Sequence, residues 1–317
     1  MINLLFKIAT SVPTSWPLSL RWAAGKVYHF GGIHVGGFFS GTLWLLILAI
    51  ALFDSQVAQL NTIFNLLVAH LVILSVMIVA SLPKIRAKYH NTFEIIARFG
   101  NWISLGLFWT QTLLFISYQS QGSFGLSPIA ASPQIWVLVL ISFSILLPWL
   151  RLKKVPVDIV TPSNHVSLTS FNYGVTPFAG SSTDLSVNPF FEWHSFANVP
   201  WPDREGFRLT ISRAGDWTGR LIDEKPKHIW TKGIPTAGVG NIELLFKKVI
   251  WVATGSGIGP CIPHLLTKKV PSKLVWSTRT PRQTYGDALV DEILDVQPNA
   301  VIWDTTSNGK PDLVELA

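Results

Sequence analysis

Cysteine is nearly absent. The 317-residue chain has one, Cys261. That excludes internal disulfides and any cysteine-based metal centre, and it fits a cytosol-facing domain. Charge is also scarce. Only 14% of residues are charged, against about 25% in an average soluble domain. With 49% hydrophobic residues and a mean hydropathy of +0.38, part of the chain is expected in lipid. Acidic residues are the rarer sign, 18 against 25 Lys and Arg, for a net charge of +7. The basic residues form no stripe interleaved with stacking aromatics, and no nucleic-acid motif occurs. The excess is therefore read as attraction to an inner leaflet, and nucleic acid is excluded as a partner. Repeats and low-complexity tracts are missing. Pro13 and Pro17 interrupt the first apolar stretch, which argues against a cleavable signal peptide.

The apolar excess lies almost wholly before residue 151. Four runs, at about 33–53, 63–82, 100–118 and 134–150, approach the ~20 residues that cross hydrocarbon as a helix. Trp44, Trp102, Trp109, Trp136 and Trp149 flank or end apolar runs, as interfacial residues do. The basic loops all fall on one side. Arg21 and Lys26 precede the first run; Lys84, Arg86, Lys88 and Arg98 separate the second and third; Arg151, Lys153 and Lys154 follow the fourth. The remaining loops hold only Asp54. The positive-inside rule then predicts four spans with both termini cytosolic.

From Val155 the periodicity changes. Short β-rich stretches at 157–160, 165–169, 190–197 and 207–212, bounded by Pro, Gly, Asn and Ser, predict a small antiparallel barrel. A buried run at 247–254, a Gly-rich turn, an apolar helix at 261–266, a strand at 274–277, a helix at 285–294 and a strand at 300–303 predict a parallel α/β unit.

Two motifs carry chemistry. Phe191-Glu192-Trp193-His194-Ser195-Phe196-Ala197 ends a strand, and Gly215-Asp216-Trp217-Thr218 follows the next one. A flavin needs hydrogen-bond donors, a flat apolar wall, and hydroxyl or backbone N–H groups for its phosphate. Gly255-Ser256-Gly257-Ile258-Gly259-Pro260 follows a buried strand and opens a helix, where backbone N–H groups can approach a pyrophosphate. The alternative for this turn is a purely structural one.

The ordered set resembles the ferredoxin–NADP reductase superfamily, in its ferric reductase and NADPH oxidase branch. With a small membrane domain and the segment His90-Asn91-Thr92-Phe93-Glu94, it looks most like the TmpA-type membrane flavoproteins. The resemblance implies three domains: 1–154 a transmembrane helical domain, 155–246 an FAD-binding barrel, and 247–317 a short NAD(P)-binding α/β domain. It places His194, Ser195 and Phe196 at the isoalloxazine and ribityl region, and the Thr218 hydroxyl at a phosphate. Gly255, Ser256, Gly257, Gly259 and Pro260 shape the nicotinamide-nucleotide turn. Ser277 and Arg279 meet a 2′-phosphate and Tyr285 lies near the adenine, so NADPH is expected over NADH.

Cys261 is read as a small buried helix residue. Haem would fall to His29, His34 and His90, but the paired spacing used by ferric reductases is lacking, and Ala97-Arg98 stands where relatives carry His-Arg. His70, in the second run, has no evident partner. The family continues past the third parallel strand, whereas this chain stops at Ala317. The expectation is therefore a shortened nucleotide domain, from a truncated or spliced form or from a protein without hydride transfer. The leading function is a membrane-anchored NAD(P)H-dependent FAD oxidoreductase with an unknown electron acceptor. The rival is an inactive membrane flavoprotein or scaffold.

Overall fold

The computed structural model describes residues 2–28, 30–121 and 125–316. The chain separates into two compact units. One holds residues 30–150 with 190–192, and the other holds 1–29, 151–189 and 193–317.

Helices α1 (Ile2–Thr10) and α2 (Leu18–Gly25) belong to the second unit. The Asn3 amide donates to the Pro235 carbonyl at 2.8 Å and accepts from the Ala237 N–H at 3.0 Å. Phe6 stacks on Tyr28 at 4.1 Å, and Arg21 donates to the Leu245 carbonyl at 2.6 Å.

The helical unit contains α3 (Phe30–Leu52), α4 (Ala58–Ser81), α5 (Pro83–Lys88), α6 (His90–Gln119), α7 (Leu126–Ala131) and α8 (Pro133–Leu150). Among the described residues, three helices are long and apolar enough to cross a membrane, at Gly31–Leu52, Ala58–Ser81 and Pro133–Leu150. The third expected span, 100–118, lies within α6 and is not among them. Its polar residues explain why: Ser104 and Gln111 are buried inside the bundle, where a helix covered by protein tolerates them. Ile63, Leu67, His70, Leu74, Met77 and Ala80 form one buried stripe on α4, at the 3–4 residue spacing of a helical face. Gly100 on α6 sits against this stripe; a Cβ there would lie 2.6 Å from the Met77 sulfur.

Two antiparallel sheets follow. The first runs β1 (Leu152–Pro156), β8 (His228–Lys232), β4 (Ser181–Ser186), β5 (His194–Ala197), with β9 (Thr236–Ala237) also on β4. The second runs β2 (Asp158–Val160), β3 (Val166–Phe171), β7 (Phe207–Ser212), β6 (Val199–Pro200). They share a core of Val155, Phe171, Leu185, Phe207, Leu209, Ile211 and Ile229, plugged by Trp217 and Leu221 of α9 (Asp216–Glu224). The expected barrel is thus two facing sheets; among the described residues no hydrogen-bonded ladder closes them. Strand β4 reads SSTDLS and escaped the apolar pattern, yet Ser181 and Ser186 are fully buried.

Strands β10 (Val249–Thr254), β11 (Ser272–Thr278) and β12 (Val301–Asp304) form a parallel sheet in sequential order. Helices α10 (Ile258–Thr267) and α12 (Asp287–Val296) are the crossovers, with the short α11 (Pro281–Tyr285) before α12. The break between α11 and α12 falls at Gly286, whose φ of +88° favours glycine. Ile258, Ile262, Leu265, Leu289, Val290 and Ile293 pack with Leu274 and Trp276, and Val166 and Val199 join this core from the antiparallel sheets.

Candidate active site

His194 and Phe196 lie on β5 at positions of one parity, so both side chains leave the same face. His194 stacks on Trp217 at 4.3 Å and 28°, and Phe196 on the same indole at 5.8 Å and 22°. The result is a flat aromatic shelf, while Ser195 between them is exposed on the other face. The Trp217 Nε1 is buried with no hydrogen-bond partner. Trp193 donates to the Pro189 carbonyl at 2.8 Å, and the Lys232 ammonium lies 4.5 Å from its ring.

Thr218 is placed differently from the expectation of a phosphate-binding hydroxyl. Its Oγ1 accepts from the N–H groups of Ala214 at 2.8 Å and Gly215 at 3.1 Å, and donates to the Gly215 carbonyl at 3.1 Å. The hydroxyl closes the first turn of α9, satisfying backbone groups that a helix start leaves orphaned. Arg213, just before this turn, is held by both oxygens of Asp223 and donates to the Asn164 carbonyl.

The Gly-rich turn follows β10 and opens α10, as the sequence predicts. Gly255 has φ +48°, no atom lies within 4 Å of where its Cβ would stand, and Ser256, Gly257 and Pro260 are exposed. Gly259 is buried; a Cβ there would come 3.2 Å from the Thr210 carbonyl. The turn has an anchor that the pattern did not reveal. Trp276 of β11, fully buried, donates from Nε1 to the Gly255 carbonyl at 3.0 Å.

Ser277 and Arg279 leave the end of β11 next to this turn. Ser277 is buried and Arg279 exposed, and the Arg279 guanidinium forms no ion pair among the described residues. Its loop is pinned by Asp304 at the end of β12, whose Oδ1 accepts from the N–H of Thr280 at 2.9 Å and of Thr306 at 2.8 Å. These N–H donors hold the Asp304 carboxyl below its ordinary range. Tyr285 departs from the expected place beside an adenine. It is fully buried, edge-on to Trp276 at 4.9 Å. Its hydroxyl points toward Ser212 and Thr278 without closing a hydrogen bond, and burial pushes its pKa up.

Cys261 is buried on α10, and burial pushes its thiol up to about 11. One turn on, His264 is buried with Glu243, Nδ1 to Oε1 2.7 Å, and stacks on Trp251 at 4.9 Å. Sequence reasoning missed this pair, because its members are 21 residues apart with no motif between them.

The haem ligands fare less well. His29 lies outside the described residues. His34 is exposed on α3, and His90 is exposed and pairs with Glu94 at 3.3 Å. His70 is fully buried, edge-on to Phe108 at 4.6 Å and beside Gln111, with neither ring nitrogen in hydrogen-bond geometry. No group of three His, Cys, Asp or Glu able to hold a metal occurs among the described residues, and nothing in them supports haem.

A family model described as the C-terminal domain of adenylate-forming reductase 03009 matches residues 239–317. Adenylate-forming reductase 03009 of Coprinopsis cinerea is 41% identical over 320 residues, covering all of this chain and 31% of that protein. Adenylate-forming reductase 06235 of the same fungus is 39% identical over the same length and the same shares. The chain therefore spans about a third of the length of the curated relatives it matches. Among solved structures, an intact type IV self-sufficient cytochrome P450 monooxygenase overlays with a TM-score of 0.42 and 16% identity, covering 52% of this chain and 23% of that one. A ferredoxin NADP+ reductase from Neisseria gonorrhoeae with bound FAD and NADP overlays with a TM-score of 0.38 and 13% identity, covering 51% and 74%.

Proposed function

We propose that the chain is the reductase portion of a membrane-anchored flavoprotein that takes electrons from NADPH and passes them to an acceptor. The observation that carries this reading is one compact unit holding both an aromatic shelf and an open glycine turn. The shelf is His194, Trp217 and Phe196; the turn, Gly255 to Gly257, is locked by Trp276. Both fit the cofactors. An aromatic wall with a buried, unpaired indole N–H suits an isoalloxazine edge, and bare backbone at the start of a helix suits a pyrophosphate.

FAD, when bound, would accept a hydride and release single electrons. The protein's own part is positioning. His194 and Phe196 flatten the site, Ser195 faces away from it, and Ser256, Gly257, Gly259 and Pro260 shape the nucleotide turn. Ser277 and the unpaired Arg279 would meet a 2′-phosphate in this reading, which the absence of an acidic residue at the end of β11 supports, since such a residue would prefer a 2′-hydroxyl. The domain division at 154 and 246, the TmpA-type likeness, a fourth span through α6 and cytosolic termini belong to the same reading. The apolar faces that α3 and α8 expose support its lipid-embedded part. The relatives are named adenylate-forming reductases; we assign this chain the reductase role alone.

Removing the shelf tests the reading. In full-length protein reconstituted with FAD, His194→Ala and Trp217→Phe should each weaken flavin binding about tenfold or more, from the loss of stacking and a donor worth about 1–3 kcal/mol. Unchanged occupancy in both would remove the assignment.

A second reading, a scaffold that keeps the fold without hydride transfer, is favoured by two observations. The Thr218 hydroxyl is consumed by its own helix turn, and Tyr285 has no face open to a nucleotide.

A further inference from the structure

The two facing sheets have an end that their apolar core does not fill. Directly paired residues in a ladder point to one face, and so do residues two apart on a strand. Val155 pairs with Ile229, Lys153 with Thr231, and Leu185 also with Thr231. Val155, Ile229 and Leu185 are core. Lys153, Thr231 and Thr183 therefore share the core-facing side one layer on, on β1, β8 and β4; the two threonines are buried there and Lys153 is exposed. Tyr173 stands two residues past core Phe171 and packs edge-on against it at 6.3 Å. A chain that only had to close its core would place apolar side chains at these positions. This one places a lysine, two threonines and a tyrosine.

The layer faces a cavity of about 200 Å3, lined also by Arg151 and Lys232 and by no acidic residue. Lys232 is already engaged, 3.0 Å from Asp184. Arg151 and Lys153 form no ion pair among the described residues. Thr183 and Thr231 are buried; the Thr231 hydroxyl donates to the Lys232 carbonyl at 3.3 Å, and Tyr173 lies beside it, its pKa raised by burial. Gly233 keeps one wall tight: its N–H donates to the Arg151 carbonyl at 3.2 Å, and a Cβ there would stand 2.9 Å from that oxygen. The side chains of Arg151, Lys153 and Thr183, which form no hydrogen bond or ion pair among the described residues, are two cations and a hydroxyl donor, which is the recognition chemistry of an oxyanion. Drug-sized and cofactor pockets run to roughly 300–1,000 Å3. This cavity holds a single phosphate group with a few attached atoms, so it is not a place for a dinucleotide.

We propose that this end of the two-sheet core is a binding site for one phosphate group, held by Lys153 and Arg151 with hydroxyl donation from Thr183. Free phosphate and the headgroup of an anionic lipid share that chemistry. Connectivity brings in the lipid source, because Arg151 directly follows the apolar helix α8. The site does not depend on the flavin reading.

Full-length protein in uncharged detergent is titrated calorimetrically at low salt, in separate arms, with inorganic phosphate and with dihexanoyl phosphatidic acid. Saturable binding of phosphate identifies the free anion as sufficient, and binding of the phosphatidic acid alone identifies a lipid headgroup; either supports the site. Lys153→Met should weaken the probe that binds by about 10–100-fold, the size of a charge-assisted contact. The exposed Lys310→Met should change it less than about threefold. Thr183→Val keeps the shape, serves if Lys153→Met does not fold, and should cost about 3–10-fold. Flavin content, measured in the same samples, should be unchanged. Binding of neither probe by the wild type, or equal affinity in the two lysine variants with no effect of Thr183→Val, overturns the proposal.

Discussion

The His264–Glu243 pair gives the sharpest test of how the nucleotide helix is seated. Both side chains are 3% exposed and meet at 2.7 Å. The second carboxylate oxygen of Glu243 has no partner, so the imidazole is its main compensation. His264→Leu leaves a buried carboxylate stranded. Breaking a buried pair from one side costs about 3–5 kcal/mol, a large share of the ~5–15 kcal/mol that holds a domain together. Removing both partners is different. His264→Leu with Glu243→Leu leaves no buried charge, and the remaining cost is fit. Gly180 and Gly240 approach the ring so closely that a Cβ on either would fall 2.5 and 2.3 Å from it. Leucine fills that slot imperfectly, at about 1–2 kcal/mol. The double variant should therefore be more stable than His264→Leu alone by about 2 kcal/mol. Urea unfolding of the full chain in nonionic micelles, followed by tryptophan fluorescence for wild type, both single variants and the double, measures the coupling. A coupling below about 0.5 kcal/mol would show that the pair does not hold α10 as described.

Three further outcomes are expected. Thr218→Ala should destabilise the sheet unit by about 1 kcal/mol, the size of a lost helix cap, while Thr218→Ser should not; thermal unfolding distinguishes them, and a loss of flavin without a loss of stability would return the hydroxyl to the cofactor. Arg279→Ala should raise the NADPH dissociation constant about 10–100-fold and leave NADH nearly unaffected, as read by calorimetry; equal effects on both nucleotides would remove Arg279 from the 2′-phosphate. The Cys261 thiol holds its proton to about 11, against 9.0 for an unperturbed thiol. In that window the unfolded chain has lost a proton that the folded chain keeps, so stability should fall as pH rises from about 9 to 11. Cys261→Ala should flatten that fall in unfolding curves taken across the window.

Much of the fold was legible where periodicity and punctuation agree. The stretch 207–212 is β7 itself, because its inward residues Phe207, Leu209 and Ile211 alternate cleanly. The glycine turn was placed between β10 and α10 because Gly255 needs a positive φ. What escaped lacked an apolar signal. Strand β4 is buried through serine and threonine, and β8 is a lone Ile–Trp amid polar residues. The barrel was expected from strand count alone, and closure depends on ladders that no local pattern encodes. The sequence assigns the N-terminal residues to the transmembrane domain 1–154, yet Asn3 ties them to Pro235 and Ala237, and Arg21 to Leu245. At the site, the motifs put His194 and Phe196 on a strand and Gly255 just after another, as β5 and β10 have them. They did not give Trp276 as the anchor of the turn, nor the inward orientation of Tyr285, because both depend on contacts across strands and helices distant in sequence.

The central claim is that one chain binds flavin and lets NADPH reduce it. Full-length protein purified with FAD and mixed anaerobically with NADPH tests this directly. The account predicts near-stoichiometric flavin, bleaching of its oxidised absorbance band on adding NADPH, and recovery of the band in air. A protein that holds flavin but is not bleached would establish the scaffold reading, and one that retains no flavin would contradict the account itself.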